Sequence, residues 1–336
     1  MLTTEVLERV VRAATRAPSV HNTQPWTVEV GLSRGRGMVD VRVDPARSLR
    51  HGDPLSREAT ISCGALVDHL VVAARREGLD AEVTVTAGDG DLRLARVSLS
   101  PGDLPSVAEL ELSVATVHRR TTRIALDDLV VDDALVARLV RMVADAQAHL
   151  VVLPPGSAAR GVVLRQVARA EALATEDLVG RAEEEAWTGR AAAADGAGDG
   201  VPVEEPWAGH PGAAPGPGSR RLSDRAGPGD ATEHGAVLAL LTTPGDSPDD
   251  WLRAGRALSR LLLEATVAGL TASFATTVLE NPTTRHEVVR SLGLVGAPQV
   301  LLQLGYGEPG VRTPRRALGT AAVRGDHLET GGASTA

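Results

Sequence analysis

Apolar residues recur at helical spacing from Val6 and Leu7 through Val10 and Val11 to Ala14, which predicts an amphipathic helix over residues 2–16 with Thr3 or Thr4 as its N-cap. The period then changes to two. Trp26, Val28 and Val30, followed by Val39, Val41 and Val43 alternating with Asp40, Arg42 and Asp44, predict strands over 26–31 and 38–44 joined by the Gly-rich turn Ser33 to Gly37. Pro54 and Ser56 open a second helix, whose apolar face carries Leu66, Leu70, Val71 and Ala74 and which Gly78 stops. Strands over 81–86 and 92–99 close a first lobe, residues 1–113, and a helix through Val107, Leu110, Leu112 and Val114 leads into HRRTTR. The second lobe, 114–336, reads as a helix over 132–149, a strand over 149–153 and one or two helices over 158–188. After these come a strand over 235–242, a helix from Asp249 to Leu270 ended by Gly269, a helix over 283–292 and a strand over 298–304. This mixture of elements places the chain in the α+β class.

The pattern breaks at about 188–230, where Gly-Pro clusters such as PGAAPGPG leave too little apolar surface for a core. A stretch this long inside a lobe reads as a lid or an insert, and Trp187 and Trp207 favour docking over free disorder. The 336 residues suit two domains, and 43% hydrophobic content supports a sizeable core. With only 2% aromatics, that core must be Leu, Val and Ala. A net charge of −8 argues against a nucleic-acid or membrane-surface binder. All 35 basic residues are Arg. The one cysteine, Cys63, lies among small residues in an apolar segment and reads as a core residue, so neither an internal disulfide nor a Cys-based metal site is expected. Glu5, Glu8, Arg9 and Arg12 interrupt any leader pattern, and no apolar run approaches the roughly 20 residues of a membrane span. These features predict a cytoplasmic protein.

Two stretches concentrate chemistry. In Ala17 to Trp26, APSVHNTQPW, Pro18 and Pro25 each fix φ and remove a backbone donor. Ser19, His21, Asn22 and Gln24 supply bonding groups and Trp26 a stacking face, which suits something planar and polar; on spacing alone the same residues make a Pro-stiffened helix-to-strand connection. In His118 to Arg123, HRRTTR, three guanidiniums and two hydroxyls fall within five residues, a composition fit for phosphate and equally for an exposed basic turn. A further cluster, Arg47, Asp53, Arg57 and Glu58, reads as a solvated capping region with surface ion pairs. No Cys-His, Ser-His-Asp or paired-carboxylate spacing competes for catalysis, so no side chain is assigned a catalytic role.

APSVHNTQPW resembles the signature loop of the FMN-dependent nitroreductase family. With His21 ahead of Asn22 it is similar to the two-lobed actinobacterial Acg-like branch of NAD(P)H nitroreductases, as is the run from Asp53-Pro54 through Arg57-Glu58 to Ser62-Cys63-Gly64. The resemblance covers nearly the whole chain outside the Gly/Pro insert, and it implies a nitroreductase-like fold. It implies that Pro18, Ser19, Val20, His21, Asn22 and Gln24 border the ring and ribityl chain of FMN. HRRTTR is similar to the Arg-x-Ser-x-Arg element that grips the FMN phosphate, with Arg119, Thr121 and Arg123 in register and Thr121 replacing the usual Ser. The stretch Ser273 to Thr277, centred on Ala275 and Thr276, corresponds to the loop whose backbone N–H faces flavin N5, and Arg315 and Arg316 to the C-terminal basic pair.

Ordinary members of that family are homodimers in which the loop of one subunit closes over the phosphate elements of the other. Here the loop occurs once, in the first lobe, and the phosphate elements once, in the second. The resemblance therefore implies an internally fused pseudo-dimer with one FMN site between its lobes, monomeric or paired further. The implied function is transfer of hydride from NAD(P)H to FMN and on to a nitroaromatic, quinone or similar small molecule. The long insert keeps open a lidded FMN-binding or storage protein with little turnover. Retention of Asn22, Arg119, Thr121, Arg123 and Arg316 speaks against a decayed site in an interaction protein.

Overall fold

A computed structural model describes residues 2–87, 93–123, 126–188, 198–201, 235–310, 312–317 and, as backbone, 322–325. Most of the candidate lid, Trp207 included, lies outside the described residues.

The first helix, α1 (Thr4–Ala14), begins where Thr3 accepts a hydrogen bond from the Val6 N–H at 3.3 Å, and it buries Leu7, Val10, Val11 and Ala14. Strands β1 (Trp26–Ser33) and β2 (Arg36–Val43) form the predicted hairpin, with Trp26 opposite Val43. After α2 (Arg57–Arg76), β3 (Leu79–Val85) and β4 (Arg93–Pro101) extend this sheet antiparallel. The inner face, with Val28, Val30, Val39, Val41 and Val97, packs in one core with α1 and α2. The other face is polar: Arg96 donates two bonds to Asp40, at 2.7 and 2.8 Å. This is the half-solvated antiparallel sheet that strict alternation encodes.

In the second lobe α3 (Val107–His118), α4 (Asp133–Asp145), β5 (His149–Leu153), α5 (Ala158–Glu176) and α6 (Leu178–Trp187) precede β6 (Val237–Thr243) and α7 (Pro248–Val267). Then come β7 (Thr271–Phe274), α8 (Thr277–Glu280), α9 (Pro282–Leu292) and β8 (Ala297–Gly305). The sheet is antiparallel in the order β5-β6-β8-β7. Helices cover both of its faces. Ala239, Leu241, Val300 and Leu302 pack with residues of α4 and α7, whereas Leu238, Leu240 and Leu301 pack with α5, α8 and α9. Burial on both sides explains why β6 and β8 read as continuous apolar runs.

Three features differ from the sequence reading. The helix expected to run to residue 149 stops at Asp145, because Gln147 takes φ 57° and turns the chain into β5 without any glycine or proline to announce it. Ser273 and Phe274, expected in a loop, are the end of β7, paired with Gln303 and Leu302. Finally, β9 (Ala322–Gly325) runs parallel to β1, so the end of the chain completes the first-lobe sheet, β3-β4-β2-β1-β9.

The two lobes meet along α2 and α7. At their crossing the backbones touch: a Cβ on Gly255 would lie 1.9 Å from the Ile61 carbonyl oxygen, and one on Gly64 would lie 2.2 Å from that of Leu252. Gly255→Ala should therefore destabilise the chain by about 3 kcal/mol or prevent folding. Gly161→Ala in α5, where a Cβ meets only the tip of Arg165 at 3.5 Å, should stabilise slightly. Urea midpoints of the two variants check this; equal midpoints would remove the crossing from the account.

Candidate functional site

The loop from Ala17 to Trp26 is built on unusual backbone. His21, Asn22 and Gln24 have φ of 43°, 54° and 50°, left-handed values that cost of order 1–3 kcal/mol each in non-glycine residues. Bonds from three directions hold them. Ser19 Oγ accepts from the Gln24 N–H at 3.0 Å, and Ser62 Oγ, on α2, accepts from the Val20 N–H at 3.2 Å. Asn22 Nδ2 donates to the carbonyls of Gly200 (2.8 Å) and Pro314 (3.2 Å), and Gln24 Nε2 to that of Gly198 (2.9 Å). The tail closes the ring, with the Arg316 N–H donating to Gln24 Oε1 at 3.0 Å. The amides of Asn22 and Gln24 thus tie the loop to the tail and to the edge of the insert. Pro18, Ser19, Val20 and His21 stay partly accessible.

The Arg119–Arg123 segment adds to the edge of the second sheet. Thr121 bridges Ala272 of β7, and the Thr122 N–H donates to the Ala272 carbonyl at 2.8 Å. The tail lies on its other side, where a Cβ on Gly310 would be 1.9 Å from the Thr121 carbonyl oxygen. Arg119 is buried, its Nε has no hydrogen-bond partner among the described residues, and its Nη1 reaches Thr121 Oγ1 only at 3.5 Å. Burial first, and then the charge of Arg120, lowers its pKa to about 10, so it stays cationic at neutral pH. Burial also lowers Arg123, which feels the opposite charge of Glu184.

Arg315 is a clamp. Its Nε donates to the Thr15 carbonyl at 2.8 Å and its Nη2 to those of Arg16 (2.9 Å) and Ala17 (3.3 Å), while Nη1 serves Asn22 Oδ1 at 3.0 Å and Thr313 Oγ1 at 2.7 Å. All of its N–H groups are taken by the chain. Burial, then the charge of Arg119, pushes its pKa down to about 9. Arg316 donates from Nη1 to the Gln24 carbonyl at 3.2 Å. On the N5-facing stretch implied by the resemblance, the Ala275 N–H donates to the Leu301 carbonyl at 3.0 Å, and the side chain of Thr276, which precedes α8, bonds Glu280 at its end.

Of the cluster read as solvated, Arg47 is half-buried and the other three residues are buried. Asp53, Arg57 and Glu58 are each 7% exposed or less, and β8 of the second lobe lies against Arg57. Arg57 donates to the Gln299 carbonyl at 2.8 Å and to Glu58 at 3.0 Å, while Asp53 caps α2 through the Ala59 N–H. Glu58 meets Glu280 there, a pairing with no local sequence signal because the two belong to different lobes. Burial holds both carboxyls above their ordinary range, and at Glu58 the charge of Glu280 adds to it. Above these residues, α6 docks on the first lobe. Glu183 accepts from the backbone N–H groups of Arg50, His51 and Gly52, Asp177 meets His51 at 2.7 Å, and Arg47 stacks over Trp187 and pairs with Asp199. Burial, then Arg123, holds His21 down to about 4. The lone Cys63 is fully buried, with its thiol pushed up by burial, as a core residue requires.

These shifts set a pH profile. His21 at about 4 and His69 at about 3 are neutral in the folded chain, whereas an unfolded His titrates near 6.5. Their contribution is complete above pH 6.5 and is lost as pH falls towards 4 and 3. Glu58 and Glu280 act in the opposite sense: they hold protons in the folded chain above the ordinary 4.5, so their contribution declines as pH rises past it. Glu58→Gln should flatten the loss of urea midpoint as pH rises from about 4.5 to about 8. An unchanged slope would mean that the pair is not protonated in the folded state.

No protein-family model matches the chain. It is similar to "Putative NAD(P)H nitroreductase Rv3131" of Mycobacterium tuberculosis, 32% identical with 94% of this chain and 90% of that one covered. It is also similar to "Putative NAD(P)H nitroreductase acg" of the same organism, 29% identical with 95% of each chain covered. Its fold is shared with the crystal structure of "a putative nitroreductase from anabaena variabilis", at a TM-score of 0.53 and 12% identity over 90% of this chain and 88% of that one.

Proposed function

The chain belongs to the NAD(P)H nitroreductase family, and from that premise we propose that it is an FMN-binding oxidoreductase taking hydride from NAD(P)H and passing electrons to a nitroaromatic, quinone or similar acceptor. One observation carries the reading. Arg119 is buried with an Nε that has no partner among the described residues, beside Thr121, at the point where the tail and the first-lobe loop converge. A desolvated guanidinium without a carboxylate suits a phosphate ester, which accepts forked, charge-assisted bonds. The site therefore fits the phosphate end of FMN.

When bound, FMN would supply the hydride and electron chemistry. The chain's residues would do the rest. Arg119, Arg123 and Arg316 would hold the phosphate, with Thr121 adding a hydroxyl. Arg315 would keep Asn22 and the end of α1 against the tail. Pro18, Ser19, Val20 and His21 would border the ring and ribityl chain, and the backbone at Ala275 and Thr276 would lie at its far end. His21, neutral at pH 7, adds no charge to the loop.

A second reading has its own support. Residues Gly198 and Gly200, at the edge of the insert, accept bonds from Gln24 and Asn22. An insert seated on the loop in this way suits a lidded flavin-holding protein with little turnover.

The absorbance spectrum of the purified protein separates the readings. Flavin bands that bleach promptly on anaerobic addition of NADPH are expected of the reductase; bands that resist NADPH and bleach only with dithionite mark the lidded protein. Absence of flavin bands after incubation with FMN would exclude both. Arg119→Ala should weaken FMN binding by about 10- to 100-fold, the loss typical of a hydrogen bond to a charged group, as read by fluorescence titration.

A further inference from the structure

Outside the inner group lies a second set of guanidiniums. Arg16 follows α1, Arg120 belongs to the interlobe segment and Arg312 to the tail. The close approach of Gly310 to the Thr121 and Thr122 backbone sets the tail beside Arg120. The grip of Arg315 on the carbonyls of Thr15, Arg16 and Ala17 sets the tail beside Arg16. The charge of Arg312 bears on both Arg16 and Arg120, and that of Arg16 bears on Arg120. Among the described residues no carboxylate forms an ion pair with Arg16, Arg119, Arg120, Arg312 or Arg315. Neither Arg16 nor Arg312 makes a side-chain hydrogen bond there. Arg120 bonds only the Val117 and Arg119 carbonyls, at 2.8 and 2.7 Å.

Five like charges converge on a chain whose net charge is −8. The C-terminal ends of α1 and α3 offset about half a charge each. One phosphate monoester offsets about two more. Even with the whole phosphate set against these five and none against Arg123 or Arg316, roughly two positive charges remain, on the side where Arg312 is exposed and Arg16 and Arg120 are half-buried. We infer that Arg16, Arg120 and Arg312 form a second phosphate-binding subsite, which takes a phosphate group other than the flavin's own. This rests on the flavin reading above, because the first phosphate counted is the flavin's. The group can come from the 2′-phosphate of NADPH or from the additional phosphate of a flavin dinucleotide.

The test uses the full-length protein. Calorimetric titration of the FMN-loaded chain with 2′,5′-ADP and with 5′-AMP should show 2′,5′-ADP binding at least about tenfold tighter, with the difference shrinking as salt rises. The variant Arg16→Gln/Arg312→Gln should lose that difference while its FMN affinity stays within about threefold of the parent's. Arg312→Lys, on an exposed position, should keep most of the binding that Arg312→Gln loses, which separates loss of charge from loss of fold. If FAD instead binds the apoprotein at least about tenfold tighter than FMN, and the double variant erases this, the subsite stands and the dinucleotide is its source. Parallel loss of FMN affinity in the double variant would overturn the inference by assigning the triad to the flavin phosphate. So would 2′,5′-ADP, FAD and inorganic phosphate all failing to distinguish parent from variant while FMN still binds. Failure to bind FMN at all would fall on the flavin reading instead.

Discussion

The site depends on how closely α2 and α7 cross. Gly64 and Gly255 allow backbone to touch backbone at the junction of the two lobes, where any side chain would meet a carbonyl oxygen. Each helix positions a different part of the site. From α2 come Ser62, which holds Val20, and the buried residues Arg57 and Glu58. From α7 the chain turns through Gly269 into β7, whose Ala272 receives Thr121 and Thr122. A methyl group inserted at the crossing would push these groups apart, because packed interiors do not absorb extra volume locally.

Next to the crossing lies a buried polar network that selects its register. Ser259 Oγ donates to Asp68 at 2.7 Å, and Arg260 donates to the other oxygen of Asp68 at 3.1 Å. Since the Ser259 hydroxyl proton is committed to Asp68, His69 Nδ1 must carry a proton and donate towards Ser259 Oγ at 2.9 Å or the Ala65 carbonyl at 3.1 Å. A slip of one helix along the other would leave these groups buried without partners, at a cost of about 1–3 kcal/mol each. The glycines set how near the lobes come, and the network sets where.

Charge is sorted on either side of this junction. Cationic groups gather where the ends of α1 and α3 point, and carbonyls at those helix ends take the N–H groups of Arg315 and Arg120. Acidic groups gather at the start of α2 and around α8, where Glu58 and Glu280 share a buried space with Arg57. Helix C-termini favour cations and an N-terminus favours a carboxylate cap such as Asp53, so the helix directions already assign the two ends. The strained loop, with three left-handed residues, lies against the cationic end and is tied there to the tail.

Much of this was legible in the residues. Periodicity of 3.6 or 2, a hydroxyl at an N-cap and a glycine at a helix end are local signals, and the helices and strands they predict appear at or near those positions. The β2 pattern located both faces of the first sheet for the same reason. The loop and the Arg-Thr segment were visible as dense local composition. Other features depended on what the folded chain brings alongside. Gln147 ends α4 because β5 must begin there, not because of its type. Arg57 looks like a surface charge until β8, some 240 positions away, accepts its bond. The parallel seat of β9 on β1 and the meeting of Arg16, Arg120 and Arg312 join segments far apart in the chain. By itself the sequence determined most of the elements and the residue types available for chemistry, because those follow from interactions within a turn or two. Tertiary structure alone decided which charges are desolvated and which meet, because burial and Coulomb energy depend on distance in space and not on distance along the chain.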